Sequence, residues 1–400
     1  MSAYRVRRVY IGTSEQLDTL ARECGRIYSQ TLVFFWRTVR RQGVWLKPQH
    51  LMRLYPSHTL HAHTADACVQ AFFASLKSWR KRKKAGDPDA KPPHSRKWYF
   101  RIEYKRSAMS LADGCLRLSN GKGNASLVLS WPWELPQTVV IRWTGSQYEA
   151  IATYAEPQLY GPFPPGKVAG IDLGEVHMAV AHDGEDTHIL NGRLLRSKVQ
   201  YRNKLLATLN SRIDGKMKKG SKRRKRVIRS KKQQLKKIEH QIKEIEHKQT
   251  SRLITTLHEA GVQTLVIGDV RDLRQGNDVG STNNQKIHQW SAGSVRQKLT
   301  YKAKRLGIDV VLQEEAHTSK TCPKCGHRRK SSPRGRVFRC TYKRCRFVWH
   351  RDGVGAVNIR YKYRGEFGVP HVVGAMAPPT GMRFAPHIRV ARAQREAAPL

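Results

Sequence analysis

The sequence predicts an α+β multidomain protein: an N-terminal β-barrel with a helical insertion, then an α/β domain carrying an inserted zinc ribbon. Three observations carry this reading. Short alternating strands separated by D-G and N-G turns crowd residues 95–160, the pattern of an antiparallel sheet or small barrel. Apolar strands such as K-V-A-G-I-D-L-G and T-L-V-I-G-D-V alternate with helical stretches in the second half, as in a mixed α/β sheet. Two cysteine pairs, Cys322 with Cys325 and Cys340 with Cys345, have the spacing of two zinc knuckles, and Zn²⁺ takes four such soft ligands at tetrahedral corners.

The elements follow in order. A-Y-R-V-R-R-V-Y-I alternates basic and apolar residues and reads as one strand. From Ser14 to about Val44 apolar residues recur at three and four (Leu17, Leu20, Ala21, Cys24, Ile27, Tyr28), with Ser14 placed as the N-cap. A second helix runs from about Ala65 to Lys84 and ends in S-W-R-K-R-K-K-A-G-D-P, after which Gly86, Pro88 and Pro92–Pro93 mark a break. Strands then extend from K-W-Y-F-R-I-E-Y to Y-E-A-I-A-T-Y, and a proline-rich link spans Pro157 to Gly166.

In the second half, a strand carrying Asp172 turns at Gly174 into H-M-A-V-A-H-D and on into T-H-I-L-N. Residues Leu194 to Ala260 read as long basic helices that bend near Lys218 to Arg226. The parallel strand Thr264–Val270, a helix near Ser291–Leu306 and the strand G-I-D-V-V-L-Q-E-E precede the cysteines. Asp352 opens a last helix, and residues beyond Phe367 lack periodicity, which predicts a basic disordered tail.

Charge narrows the partner. Lys and Arg number 75 against 30 Asp and Glu, a net charge of +45. Such an excess is self-repulsive unless phosphates neutralise it. No run of 18 apolar residues and no signal-peptide core accompanies it, which argues against a membrane partner and for a soluble cytoplasmic protein built for nucleic acid. Cys24, Cys68 and Cys115 remain as an odd set of reduced thiols. The densest phosphate-binding candidates are Lys218, Lys219, Lys222, Arg223, Arg224, Lys225 and Arg226, then Arg80, Lys81 and Arg82. Trp98 and Tyr99, interleaved with Lys97, Arg101 and Tyr104, suit stacking on unpaired bases.

Acidic residues point to hydrolysis of phosphodiesters. Asp172 interrupts an apolar strand, a costly place for a charge unless a cation is held there. Two-metal cleavage needs three or four carboxylates converging on Mg²⁺, which takes hard oxygen ligands. Asp352, a few residues beyond the ribbon, is a second member.

The order G-I-D-L-G, V-I-x-D, T-S-K-T-C-P-K-C-G and R-D-x-x-x-A-x-N-I resembles the TnpB family of transposon-encoded RNA-guided DNA endonucleases, relatives of compact type V CRISPR effectors. The match is specific over about Lys167–Tyr363 and only architectural before it. The resemblance implies a wedge barrel (1–12 and 95–160) with a helical recognition lobe (13–94), and a RuvC-like RNase H nuclease fold (166–315 and 350–366). The ribbon then spans 316–349 and the tail 367–400. It also implies a guide RNA from the transposon end, a double-stranded DNA target beside a short motif, a monomer on one RNA, and catalytic roles for Asp172 and Asp352 with Mg²⁺.

Departures from the family matter. V-I-E-D-L becomes V-I-G-D-V, so Gly268 stands where a catalytic glutamate is usual; Val354 replaces an asparagine and His350 an aspartate. Asp269 cannot simply substitute, because neighbours on a strand face opposite ways. Either the third carboxylate is lost and the protein binds DNA without cutting, as a guided repressor, or it comes from elsewhere. Glu314 and Glu315 end the strand expected beside the middle motif, and Glu315 is the favoured replacement. A transposase proper and a zinc-ribbon transcription factor are the weaker alternatives.

Overall fold

The computed structural model describes residues 3–156, 166–270, 280, 284, 290–333, 335–371 and 379–384. They fall into two compact units, Met1–Gln158 and Leu159–Leu400. The expected proline-rich link and most of the Gly/Asn loop after Val270 lie outside the described residues.

In the first unit β1 (Ala3–Gly12) is followed by α1 (Glu15–Gln42), α2 (Pro48–Leu54) and α3 (Ala62–Lys84). Six strands complete it: β2 (Ile102–Lys105), β3 (Met109–Ala112), β4 (Cys115–Leu118), β5 (Leu127–Ser130), β6 (Thr138–Trp143) and β7 (Tyr148–Glu156). Ser14 Oγ accepts the Leu17 N–H at 3.1 Å, so the expected N-cap forms. Short α2 has proline in its first turn, and at seven residues it carries too few turns to leave a periodic signal.

The strands make a four-stranded sheet, β1-β7-β6-β2, and a separate three-stranded sheet, β3-β4-β5. Among the described residues this pairing gives two sheets where the sequence predicts one barrel. Helices and sheets share one apolar core, with Phe35 and Phe72 packed in the same buried cluster as Ile102, Leu116 and Trp131. The helical insertion is therefore continuous with the sheets it interrupts. The strand expected from Lys97 begins only at Ile102. Tyr104 is fully buried, its hydroxyl donating to Asn120 Oδ1 at 2.7 Å, which makes it a core residue.

The second unit contains β8 (Lys167–Asp172), β9 (His177–His182), β10 (Thr187–Asn191), α4 (Arg193–Lys216), α5 (Lys222–Glu259) and β11 (Val262–Gly268). Next come α6 (Ala292–Arg305), β12 (Asp309–Gln313), β13 (Val337–Arg339), β14 (Val348–His350), α7 (Arg351–Arg364) and β15 (Thr380–Met382). The main sheet has the order β12-β11-β8-β9-β10-β15. β11 runs parallel to both β8 and β12, while β9 is antiparallel to its neighbours β8 and β10.

Side-chain alternation gives the sheet two different faces. Ile171 and Ile267 join Leu253 of α5 and Leu299 of α6 in the larger core. Val180 instead meets Ala356 of α7. Asp172 and Gly268, each one residue on from an isoleucine of the α5–α6 face, therefore turn toward α7. β15 pairs in parallel with β10 and buries Met382, so this part of the segment expected as a disordered tail is a sheet strand. The triplet T-G-M, with one apolar side chain between Pro379 and Arg383, is too brief to signal a strand. Residues 385–400 lie outside the described set.

Candidate active site

Asp172 ends β8, and Asp352 occupies the first turn of α7, whose N-cap is His350. Together with Glu315 they line one cleft of about 330 Å³ that also borders Thr318, Arg336 and Arg351. Three sequence-predicted carboxylates, drawn from positions 172, 315 and 352, thus converge.

Glu315 arrives there through the turn that follows β12. β12 pairs with β11 with Gly268 opposite Gln313. The chain then folds into a turn closed by the Thr318 N–H on the Glu315 carbonyl at 3.1 Å. That turn brings Glu315 back across the sheet end, and its Oε2 lies 2.5 Å from where a β-carbon on Gly268 would stand. Oε2 is buried without a hydrogen-bond partner among the described residues. Glu314 is instead turned to solvent: its side chain is 76% exposed and pairs with Lys362 at 3.3 Å. Asp269 is on the α6 side, with Arg296 at 3.4 Å.

Electrostatics mark the centre. Burial, then the charges of Glu315 and Asp352, push the Asp172 carboxyl well above its usual range, with Arg351 opposing. Burial also raises Glu315, reinforced by Asp269 and opposed by Lys362. Asp352 is lowered: burial pushes it up, but a hydrogen bond from His177 and the charges of Arg336 and Arg351 outweigh it. Crowded oxygen donors, one with an orphaned buried oxygen, fit a hard divalent cation, whose charge would relieve the repulsion. Gly355 of α7 allows the close approach, since a β-carbon there would meet Asp172 Oδ2 at 2.5 Å.

The cysteines form a separate cluster. Cys322 and Cys345 Sγ atoms are 3.8 Å apart, and those of Cys325 and Cys340 are 3.6 Å apart. Ligands ~2.3 Å from a tetrahedral zinc lie about 3.8 Å apart along each edge, so the set fits Zn²⁺. Phe338 and Val354 are buried beneath it.

Three participants escaped sequence reasoning. Asn358, buried in α7, donates from Nδ2 to the carbonyls of Thr318 and Thr321 at 2.6 and 2.8 Å, tying the root of the ribbon to the helix that carries Asp352. Its place six residues after Asp352, within R-D-x-x-x-A-x-N-I, was the available signal. His177 Nδ1 lies 2.8 Å from Asp352 Oδ2. Arg336 Nη1 lies 2.7 Å from the same oxygen. Neither had a sequence signal linking it to Asp352.

The basic residues divide. Lys218 and Lys219 lie in the turn between α4 and α5, and they are exposed together with Lys222, Arg223, Lys225 and Arg226. Arg224 departs from the expectation: it donates to the Ile213 carbonyl at 2.7 Å and pairs with Asp214 at 3.0 Å, bracing the hairpin. In the first unit Arg80 stacks on Trp45 at 4.0 Å, Arg82 pairs with Asp87 at 2.7 Å, and Lys81 is exposed. Trp98 is 88% exposed. Tyr99 is half-exposed, with its hydroxyl accepting from Arg22 Nε at 2.9 Å.

The fold and site define an α/β protein with converging carboxylates and a four-cysteine ribbon. A sequence model of the Cas12f1-like TNB domain matches residues 293–359, and one of the OrfB IS605 probable transposase matches 155–274. A TnpB-like protein of Methanocaldococcus jannaschii is 31% identical over 110 residues, 26% of this chain and 38% of the relative. The CRISPR-associated endodeoxyribonuclease Cas12f1 of Sulfoacidibacillus thermotolerans is 26% identical over 197 residues, 48% of this chain and 45% of that protein. The structure of a Cas12f1–sgRNA–target DNA complex superposes with a TM-score of 0.56 at 14% identity, covering 87% of this chain and 82% of that one. The chain spans 38% and 45% of the lengths of those two relatives. These matches make the chain similar to TnpB-like proteins and to Cas12f1 over parts of its length. No helix among the described residues is long and apolar enough to cross a membrane.

Proposed function

We infer that the protein is an RNA-guided DNA endonuclease whose RuvC-like centre has moved its third carboxylate from position 268 to Glu315. The observation that carries this is the place of the Glu315 carboxylate, in the space a side chain on Gly268 would need. Asp172, Glu315 and Asp352 would hold Mg²⁺, which when bound supplies an activated water and stabilises the leaving oxygen. Half-buried Asp172 fixes one edge of the cleft at the end of a sheet strand, and Asn358 holds the ribbon root against α7. Arg336 and Arg351 present positive charge at the cleft, where a phosphodiester would enter. The first unit takes the wedge and recognition roles, and the basic hairpin turn between α4 and α5 contacts backbone phosphates. Base pairing by the guide supplies sequence specificity, so broad phosphate contact suffices from the protein.

RNA copurifying with the chain, once sequenced, defines the matching duplex to be tested with Mg²⁺. Guided cleavage is expected. RNA-dependent binding without cleavage would instead make the protein a guided repressor, and cleavage without guide would make it a transposase.

A further inference from the structure

Asp352 belongs to a second ligand set that contains no other carboxylate. His177, at the start of β9, and His350, the N-cap of α7, approach it so that one donor atom from each of the three lies within 4.8 Å of the others. His177 Nδ1 is 2.8 Å from Asp352 Oδ2, and the two imidazole rings are 5.2 Å apart. Asp352 is buried and both histidines are half-buried, and His177 and Asp352 also line the cleft. His350 Nδ1 accepts the Gly353 N–H at 3.4 Å, a long cap that is easily exchanged for another partner.

Two ligands ~2.1 Å from one ion lie about 3.0–3.4 Å apart, so replacing the shared proton of the His177–Asp352 pair by an ion opens it only slightly. Mg²⁺ keeps oxygen ligands and sheds water reluctantly, whereas nitrogen ligands bind first-row transition ions with an affinity that rises from Mn²⁺ toward Cu²⁺. Arg336 holds the same Asp352 oxygen at 2.7 Å, and its side chain is 43% exposed, so it can swing out when a cation arrives.

We propose that His177, His350 and Asp352 form a site for a first-row transition ion, Mn²⁺ serving as probe, next to the oxygen donors of Asp172 and Glu315. The cleft is then a mixed centre, with one position set for a hard ion and one for an imidazole-binding ion. This rests on reading Asp352 as a metal ligand in the proposed nuclease, but ion binding is measured without RNA or DNA.

The test uses the full chain, zinc-loaded and otherwise metal-free, titrated with Mn²⁺ in excess Mg²⁺ and followed by electron paramagnetic resonance. The expected result is one Mn²⁺ that Mg²⁺ does not displace, with nitrogen coupling in the spin-echo spectrum. His177→Ala and His350→Ala should weaken it at least ~10-fold. His350→Asp, which keeps a ligand but exchanges nitrogen for oxygen, should let Mg²⁺ compete; it also serves if an alanine variant fails to fold. Absence of nitrogen coupling, or equal displacement by Mg²⁺ in wild type, overturns the site. Guided cleavage without nitrogen coupling sinks this inference alone, and nitrogen coupling without guided cleavage sinks only the nuclease reading.

Discussion

The Glu315 carboxylate fills the space that a β-carbon on Gly268 would need, with Oε2 2.5 Å from that position. The two positions are therefore mutually exclusive sites for one carboxylate: a side chain at 268 must evict Glu315, and a glycine there admits it. Glu315→Gln, which keeps shape but removes charge, is expected to cut cleavage by more than about 100-fold while RNA binding stays intact. Glu314→Gln should stay within about twofold, because its carboxylate is solvated and pairs with Lys362. Gly268→Glu alone should also impair cutting through the clash, and Gly268→Glu with Glu315→Ala should recover part of it. Timed cleavage of a guide-matched duplex reads all four, and a wild-type rate for Glu315→Gln would remove Glu315 from the centre.

Asp172 carries a pH signature. Burial, then Glu315 and Asp352, raises its carboxyl well above the ordinary value of 3.8. An acid with a raised folded pKa contributes stability below its unfolded pKa and loses it as pH rises through the folded one. Zinc-loaded, Mg²⁺-free protein should therefore lose melting temperature from about pH 4 toward neutrality, and the gain on adding Mg²⁺ should grow over the same window. Asp172→Asn should flatten that profile and be more stable than the metal-free wild type at neutral pH by about 1–2 kcal/mol, with cleavage abolished. Thermal melts across pH decide; a variant whose profile keeps the wild-type slope would contradict the assignment.

Much of this was legible because the decisive features are periodic or ligand-specific. The strand parity that turns Asp172 toward one face also turns Asp269 toward Arg296 on the other, so alternation alone excluded Asp269. The parallel pairing of β11 with β12 followed from a strand–helix–strand order. What the sequence could not show depends on long-range geometry. The return of Glu315 across the sheet end is made by a turn, and the meeting of His177 with Asp352 spans 175 residues. Trp98 and Tyr99 look like strand residues by alternation, yet the strand starts three residues beyond Tyr99, at Ile102.

The link from the ribbon to the centre runs through Asn358. Its Nδ2 satisfies two carbonyls at the ribbon's root, Thr318 and Thr321, from within the helix that bears Asp352. Asn358→Ala leaves both without that donor and should cost about 1–3 kcal/mol. Asn358→Asp should cost more, since it turns a carboxylate oxygen toward those carbonyls. Removing zinc by chelation should disable cutting more severely than RNA binding, because the ribbon flanks Glu315 and Asp352 but not the α4–α5 turn. Parallel measurement of melting, RNA affinity and cleavage tests this, and equal loss of binding and cutting would refute the coupling.

The α4–α5 hairpin separates two uses of positive charge that look alike in sequence. Lys218, Lys219, Lys222 and Arg223 are exposed, whereas Arg224 is committed to the Ile213 carbonyl and Asp214. Each phosphate contact releases condensed counterions, so its loss lowers the slope of log affinity against log salt by about 0.7–0.9. Changing the four exposed residues to Gln should therefore reduce the slope for nucleic-acid binding by about three, with melting nearly unchanged. Arg224→Ala should do the reverse, lowering stability by about 1–2 kcal/mol through the lost brace while the salt slope holds. Titrations at several salt concentrations, paired with melts, separate the two. A slope unmoved by the fourfold change would mean the turn is a solvated face, and the phosphate contacts would then have to come from other basic residues.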